Sequence, residues 1–447
     1  MTDTQHRVVV TGMGLSTPIG LGPDDYWDAI LAGRCGIGRI QAFDPSGFPS
    51  GIGGEVPPFK VGDHIPKSYR KSTKVMARDI TIAMVCAYQA VVDAKLRTKC
   101  LIERGDAEDP PNVDSTRFGV NFGAGQISAD LGELGGAMAP SVDDSGKFSL
   151  KKWGSEGMNN ITPLWLLKFL PNMLACHVTI VHDAQGISNT IICGEASSHL
   201  AIGEAYRTLC RGDADVCLCG GVESKINPMA LARPLLWGRL NTESDDAPQE
   251  ACRPFAANRL GTVVAEGGGV VVLERLDHAK AREARIYAEV VGFGASTYTQ
   301  GWGKPDADGL GLARAMTKAL ADAETDPAGI DLLGAFGTGI ADHDASEMAA
   351  WNEVFAHRLD EVPAIVTRGA LGNSGAGAGA IDFATAALAV YHSTVPPSLN
   401  TTPPDPNCRL RFGNDGPVDA RIKQAISVGQ AQIGGQTAAL VLRRFEE

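Results

Sequence analysis

An α/β protein made of two similar halves is predicted from three observations: 53 glycines among 447 residues, short apolar strands alternating with helical stretches, and a second such series that starts where the first ends, near residue 275. In the first series the apolar runs predict strands over 7–11, 118–122, 190–193, 216–219 and 270–273, with helices over 26–32, 79–94 and 198–211. The second series predicts strands over 286–292, 332–336, 364–367, 425–428 and 438–442, with helices over 311–323, 344–355 and 378–391. The halves are therefore 1–275 and 276–447; no sequence repeat relates them, so the duplication rests on pattern. The stretch 128–165 is polar and glycine-rich, with Asp143, Asp144, Ser145 and Gly146 in its middle. Apolar helical residues resume on both sides of it, so it reads as an excursion of the first half that covers a pocket or a subunit interface.

The bulk composition excludes several classes. With 44% hydrophobic and 21% charged residues the chain can bury a large core. No apolar run approaches the roughly 20 residues of a membrane span, and the start MTDTQHRVVV lacks a basic leader ahead of an apolar stretch, so the expected location is the cytoplasm. Ten scattered cysteines, Cys86 and Cys176 among them, sit beside apolar neighbours and fit a reducing compartment without disulfides. A net charge of −12 argues against broad attraction to nucleic acid or an anionic membrane. An acidic carrier protein needs only a local basic patch, for which Lys67, Arg70, Lys71 and Lys74, followed by Arg78, are candidates; a solvated helix face explains the same residues. No cofactor and no metal are expected.

Several blocks carry a family resemblance. The opening RVVVTGMGLSTPIG, then YWDAILAGRCGI and FDPSGFP, is followed far downstream by AIGEAYRTLCRGDADVCLCGGVES, by RPFAANRLGTVVAEGGGVVVLERLDHAKARE and by IYAEVVGFG. In order and separation these resemble the β-ketoacyl-acyl-carrier-protein synthases, the ketosynthases of fatty-acid and polyketide synthesis, over nearly the whole chain. The resemblance implies the thiolase fold, a five-layer αβαβα arrangement of two similar halves. It also implies a dimer, either with a second copy or with a Cys-bearing ketosynthase, and an acyl carrier protein as a partner.

The family's condensation uses a Cys at the N-terminus of a buried helix, activated by the helix dipole, and two His that hydrogen-bond the thioester oxygen of the malonyl unit. Counting back from Ala201-Ile202-Gly203-Glu204-Ala205, the nucleophile position holds Glu195, and Cys193 lies two residues too early, where it reads as a core thiol. The first His position, within Ala335-Phe336-Gly337-Thr338-Gly339-Ile340, holds Phe336. The nearby His343 reads as an exposed loop residue. Of the two hydroxyls that bind the phosphopantetheine arm in the family, Thr338 remains and Ile340 replaces the other. The second His position, in Gly372-Asn373-Ser374-Gly375-Ala376-Gly377, holds Asn373, a hydrogen-bond donor that cannot be protonated. Arg368 matches the family's Lys and Glu347 its acidic partner, and the two are expected to form a buried salt bridge. The family's Phe-Gly-Phe-Gly-Gly gate reads Ala431-Gln432-Ile433-Gly434-Gly435, without either ring, which leaves Ala431 and Ile433 at the substrate channel.

Burial would raise the pKa of Glu195 and a helix N-terminus would lower it, and the sequence does not say which wins. A protonated Glu195 would imitate the Gln that stands there in chain-length factors, the non-condensing partner subunits of aromatic polyketide synthases, and in loading-module decarboxylases. The decarboxylases keep both His; Gly-Asn-x-Gly-Ala is also the kind of sequence seen in chain-length factors. The leading expectation is a non-condensing partner subunit that shapes or limits a chain built by a Cys-bearing synthase. The alternatives are an enzyme of different chemistry, with Glu195 as acid or base on an acyl thioester or other carbonyl substrate, and ordinary condensation through Cys193.

Overall fold

The protein is described over residues 6–446 from a computed structural model. Ten strands form its backbone: β1 (Val8–Thr17), β2 (Phe118–Ala124), β3 (Ser188–Ile191), β4 (Val216–Ser224) and β5 (Glu266–Arg275), then β6 (Ala288–Thr297), β7 (Leu332–Gly334), β8 (Pro363–Ile365), β9 (Gln424–Gln430) and β10 (Gln436–Arg443). The first five lie in the order β3-β2-β4-β5-β1 and the second five in the order β8-β7-β9-β10-β6. Numbered within its own half, each order is 3-2-4-5-1. The senses match too: β2 is parallel to β3 and β4 as β7 is to β8 and β9, and the remaining pairings in each half are antiparallel. The arrays join where Val8–Val10 pairs with Ala288–Val290, so one continuous sheet runs through both halves. The repeat that the sequence no longer carries is retained in the topology.

Helices fill the space between and outside the arrays. They are α1 (Arg78–Asp93), α2 (Met173–His182), α3 (Ser197–Cys210), α4 (Pro228–Leu236), α5 (Leu310–Asp322), α6 (Ala341–Phe355) and α7 (Ala378–His392). α3 and α7 touch each other and strands of both arrays, which makes them the central layer; α1 and α2 cover the first array and α5 covers the second, with α6 packed on α5. The five layers follow. Their composition explains the placement: every residue of α7 from Ala378 to Val390 is buried, and a helix that is apolar all round has to be enclosed. Conversely β3 ends its array with Ser188 and Asn189 exposed and with Ile187 and Ile192 exposed beside it, an unpaired edge with apolar flanks.

The excursion 128–165 forms helices Leu131–Met138 and Leu150–Ser155 joined by short 3₁₀ turns, and it leaves Leu150, Met158 and Leu164 exposed. The basic cluster lies on a 3₁₀ run, Lys67–Val75, but Arg78 is not free to join it. Its guanidinium grips Glu266 Oε1 at 2.6 Å. All ten cysteines are reduced, and no helix among the described residues is long and apolar enough to cross a membrane.

Candidate functional site

The central helix α3 begins where β3 ends. Cys193 leads into the turn Gly194–Ala196, and Gly194 takes a left-handed φ of 54°, a conformation glycine adopts at little cost. Ser197 locks this turn: its Oγ donates to the Gly194 carbonyl at 2.6 Å and accepts from Cys193 N at 2.8 Å. The turn holds Glu195, only 5% exposed, at the head of the buried helix.

A carboxylate there needs partners, because an unpaired buried charge is strongly disfavoured. Three donors supply them. Lys225 Nζ donates to Glu195 Oε1 at 3.0 Å, Gln432 N donates to Oε2 at 3.0 Å, and Asn373 Nδ2 lies 3.4 Å from Oε1. Burial pushes the Glu195 pKa up, but the charge and hydrogen bond of Lys225 and the Gln432 amide outweigh it and hold the carboxyl at about 2. Glu195 is therefore ionised at neutral pH, and the protonated, Gln-like form does not arise. Lys225 is held above its ordinary pKa: burial works against the ammonium, while Glu195 and Glu223 favour it. Glu223, two residues back on β4, accepts from Ala376 N at 2.7 Å and is raised by burial.

These groups line a cavity of about 350 Å³ that also receives Cys193, Arg233, Trp237, Arg239 and Ile433. Of the residues singled out from sequence, it brings together Glu195, Asn373, Cys193 and Ile433. Asn373 is fixed by its neighbours, its Oδ1 accepting from Gly375 N at 2.9 Å and its own N–H bonded to the Val263 carbonyl at 2.8 Å. Cys193 borders the cavity as a half-buried residue whose thiol burial holds above its ordinary pKa, the opposite of nucleophile activation.

The other positions lie apart from this cavity. Phe336 is 1% exposed in the hydrophobic core of the second half. Thr338 is buried, with its hydroxyl donated to Asp344 Oδ1 at 2.8 Å and accepting from Ile340 N at 3.1 Å. Ile340 borders a neighbouring depression beyond Trp237 and Arg239. Ala431 is fully buried.

Two expectations are corrected. Arg368 does not pair with Glu347. It pairs with Asp382 of α7, donates to Thr367 Oγ1 at 2.6 Å, and stacks its guanidinium over the Phe336 ring at 4.7 Å. Glu347 instead accepts the backbone N–H groups of Phe336 at 2.7 Å and Gly337 at 2.8 Å and the Trp351 indole N–H at 3.1 Å. Burial raises Glu347 to about 7, so these neutral donors suit it without a counter-ion. His343 is not exposed in a loop. It lies in the first turn of α6 at 3% exposure, and burial together with the Arg239 charge pushes it down to about 4.

Lys225 is the functional residue the sequence reasoning missed. The signal was present: from Glu223 the strand period of two places residue 225 on the same face, beside a carboxylate that burial would leave without a counter-charge. Arg239 was missed as well, with less to find it by. It links two loops, donating to the Gln432 carbonyl at 3.1 Å and to the Gly303 carbonyl.

Comparison with known proteins agrees over the whole chain. The families described as Beta-ketoacyl synthase, N-terminal domain and Beta-ketoacyl synthase, C-terminal domain match residues 5–279 and 287–402. A 3-oxoacyl-[acyl-carrier-protein] synthase 2 of Staphylococcus aureus is 32% identical over 440 residues, covering 98% of this chain and 99% of the relative. One from Synechocystis is 31% identical over 442 residues, covering 99% of each. Among solved structures, a β-ketoacyl synthase from Burkholderia phymatum superposes with a TM-score of 0.84 at 28% identity, over 99% of this chain and all of that one. The ishigamide ketosynthase/chain length factor gives 0.82 at 27% identity over the same shares. A type II polyketide acyl-carrier protein in complex with its ketosynthase bound to the hexaketide gives 0.84 at 27%, again over the same shares.

Proposed function

The chain belongs to the β-ketoacyl synthase family, and from that membership we propose that it is a non-condensing member, a partner subunit that shapes or limits a chain assembled by a Cys-bearing synthase. The observation that carries this is the state of Glu195. At the head of the central helix, where the resemblance implies a thiolate, stands an ionised carboxylate whose oxygens are taken by Lys225, Gln432 N and Asn373. A carboxylate held at about 2 is a weak base at neutral pH, and the neighbouring Cys193 thiol is not activated. The Phe336 and Asn373 positions offer no imidazole for oxyanion stabilisation. The similarity to a ketosynthase/chain length factor supports the same assignment, and the similarity to a ketosynthase bound by a carrier protein supports the family's setting in chain assembly. The partner would add to the open edge of β3, whose apolar flanks Ile187 and Ile192 await cover.

Co-expression with a Cys-bearing synthase encoded nearby tests this. A stable heteromeric complex is expected, along with no carbon dioxide release or acyl transfer when the protein alone meets malonyl and acyl thioesters. A homodimer that ignores every such partner overturns the assignment. Turnover abolished by Glu195→Gln in a folded variant would instead establish Glu195 as a catalytic acid or base, and an acyl mass shift on Cys193 would establish ordinary condensation.

A further inference from the structure

The cavity at Glu195 carries more hydrogen-bond donors than its own carboxylates use. Lys225 is engaged with Glu195, yet Arg233 and Arg239 also stand in the wall, and among the described residues neither forms an ion pair. Arg233 reaches only the Gln126 carbonyl, at 3.4 Å, and Ser128 Oγ, at 3.1 Å. Arg239 donates only to the carbonyls of Gln432 and Gly303, two acceptors for a group with five N–H donors, and its guanidinium lies over the Trp237 ring at 5.0 Å. Beside them the Gln432 side chain lines the cavity at 8% exposure, and its amide Nε2 is buried with no hydrogen-bond partner. Buried donors are as a rule paired, so this bare amide donor, in a side chain that borders the cavity, points to an acceptor reached by a small turn of the side chain into that space.

The charges define that acceptor. Lys225, Arg233 and Arg239 are three cations against two carboxylates, Glu195 and Glu223, which leaves one positive charge in surplus. The remaining wall mixes neutral polar groups, Gln126, Thr262, Asn373 and Gln436, with an apolar stretch of Ile192, Pro234, Trp237 and Ile433, and Trp237 stands 6.0 Å from Trp302. A volume of about 350 Å³ lies at the small end of ligand pockets. We infer that this cavity binds a free organic monoanion, a carboxylate with an apolar ring or short acyl chain, held without a covalent bond by Gln432 Nε2, Arg233 and Arg239. The inference does not depend on whether the chain has a synthase partner, because every group it uses belongs to this chain.

Calorimetric titration of the full-length protein with benzoate and octanoate, each against its neutral amide, tests it. Each acid should bind roughly tenfold or more tightly than its amide, as a charge-assisted contact in a desolvated site requires. Arg233→Gln should abolish that preference with the melting temperature unchanged, since Arg233 holds only two weak contacts. Gln432→Leu should weaken both acids while leaving its backbone bond to Glu195 in place. Equal binding of acid and amide, no binding of either, or a preference that survives both substitutions overturns the inference.

Discussion

The heads of the two central helices, α3 and α7, are built alike and used differently. Each is preceded by a short 3₁₀ turn, Gly194–Ala196 or Gly375–Gly377, whose first glycine is left-handed, with φ of 54° and 57°. Each has a buried ion pair close by: Glu195, in the turn itself, pairs with Lys225, and Asp382, the fifth residue of α7, pairs with Arg368. The pair on α7 is sealed, with side chains 3% and 0% exposed, whereas Lys225 keeps 19% and faces the cavity. Duplicated topology thus places two equivalent helix heads at the centre of the molecule, and only one of them opens onto space where a ligand can sit. The sealed pair is structural; the open pair is where function can be sought.

Breaking the sealed pair should have the largest effect. Arg368→Met leaves Asp382 buried with only Thr367 Oγ1 to bond, and removes the cation stacked on Phe336. Loss of one partner of a buried pair costs about 3–5 kcal/mol. A urea titration should show the midpoint fall accordingly. Lys225→Met, which leaves Glu195 the Gln432 amide and Asn373 Nδ2 on the wall of a cavity, should cost less, about 1–3 kcal/mol. Equal losses would erase the distinction between sealed and open.

The two glycines sharpen the comparison at a lower cost. A Cβ on Gly375 would lie 1.9 Å from Glu223 Oε2 and 2.5 Å from Lys225 Cε, in addition to the strained φ. A Cβ on Gly194 would meet nothing closer than Ala431 Cβ at 3.6 Å. Gly194→Ala should therefore cost only the conformational term, about 1–2 kcal/mol, and Gly375→Ala measurably more, with the excess relieved in part by Glu223→Ala, which leaves the Lys225 contact in place. Thermal melts of the two single variants and the double variant check this.

Most of the fold was legible before the structure, because strand and helix periods and the family blocks both act locally. All ten principal strands overlap the predicted apolar runs, though β3 and β8 share only two residues each with theirs. Partner choice was not legible. Arg368 and Glu347 were expected to pair because they stand where the family's Lys and its acidic partner stand, but Asp382, a lone carboxylate in the largely apolar α7, had the greater need of a cation. Lys225 is a mixed case: the strand period places it on the face of Glu223, but its partner Glu195, in the turn before α3, is fixed by packing that no local period reports. His343 looked exposed because its loop-like, polar surroundings concealed the turn of helix that buries it.

Acid titration separates the two pairs by sign. Glu195 is held at about 2, below its ordinary 4.5, so between those values the unfolded chain binds the proton that the folded protein refuses. Its contribution is present above pH 4.5 and is lost as the pH falls towards 2. Asp382 behaves oppositely. Burial outweighs Arg368 and Thr367 and lifts it from 3.8 to about 6, so the folded protein holds a proton that the unfolded chain has released. That contribution is present below pH 3.8 and is lost as the pH rises through 6. Urea midpoints measured from pH 2 to 7 should therefore rise less steeply between 2 and 4.5 in Glu195→Gln, and decline less steeply between about 4 and 6 in Asp382→Asn, where Glu347 and Asp79, each held at about 7, keep a decline of their own. Since each variant weakens one slope and spares the other, a curve altered in both windows by a single substitution would mean that the two helix heads titrate as one unit, and the distinction between a sealed pair and an open one would fail.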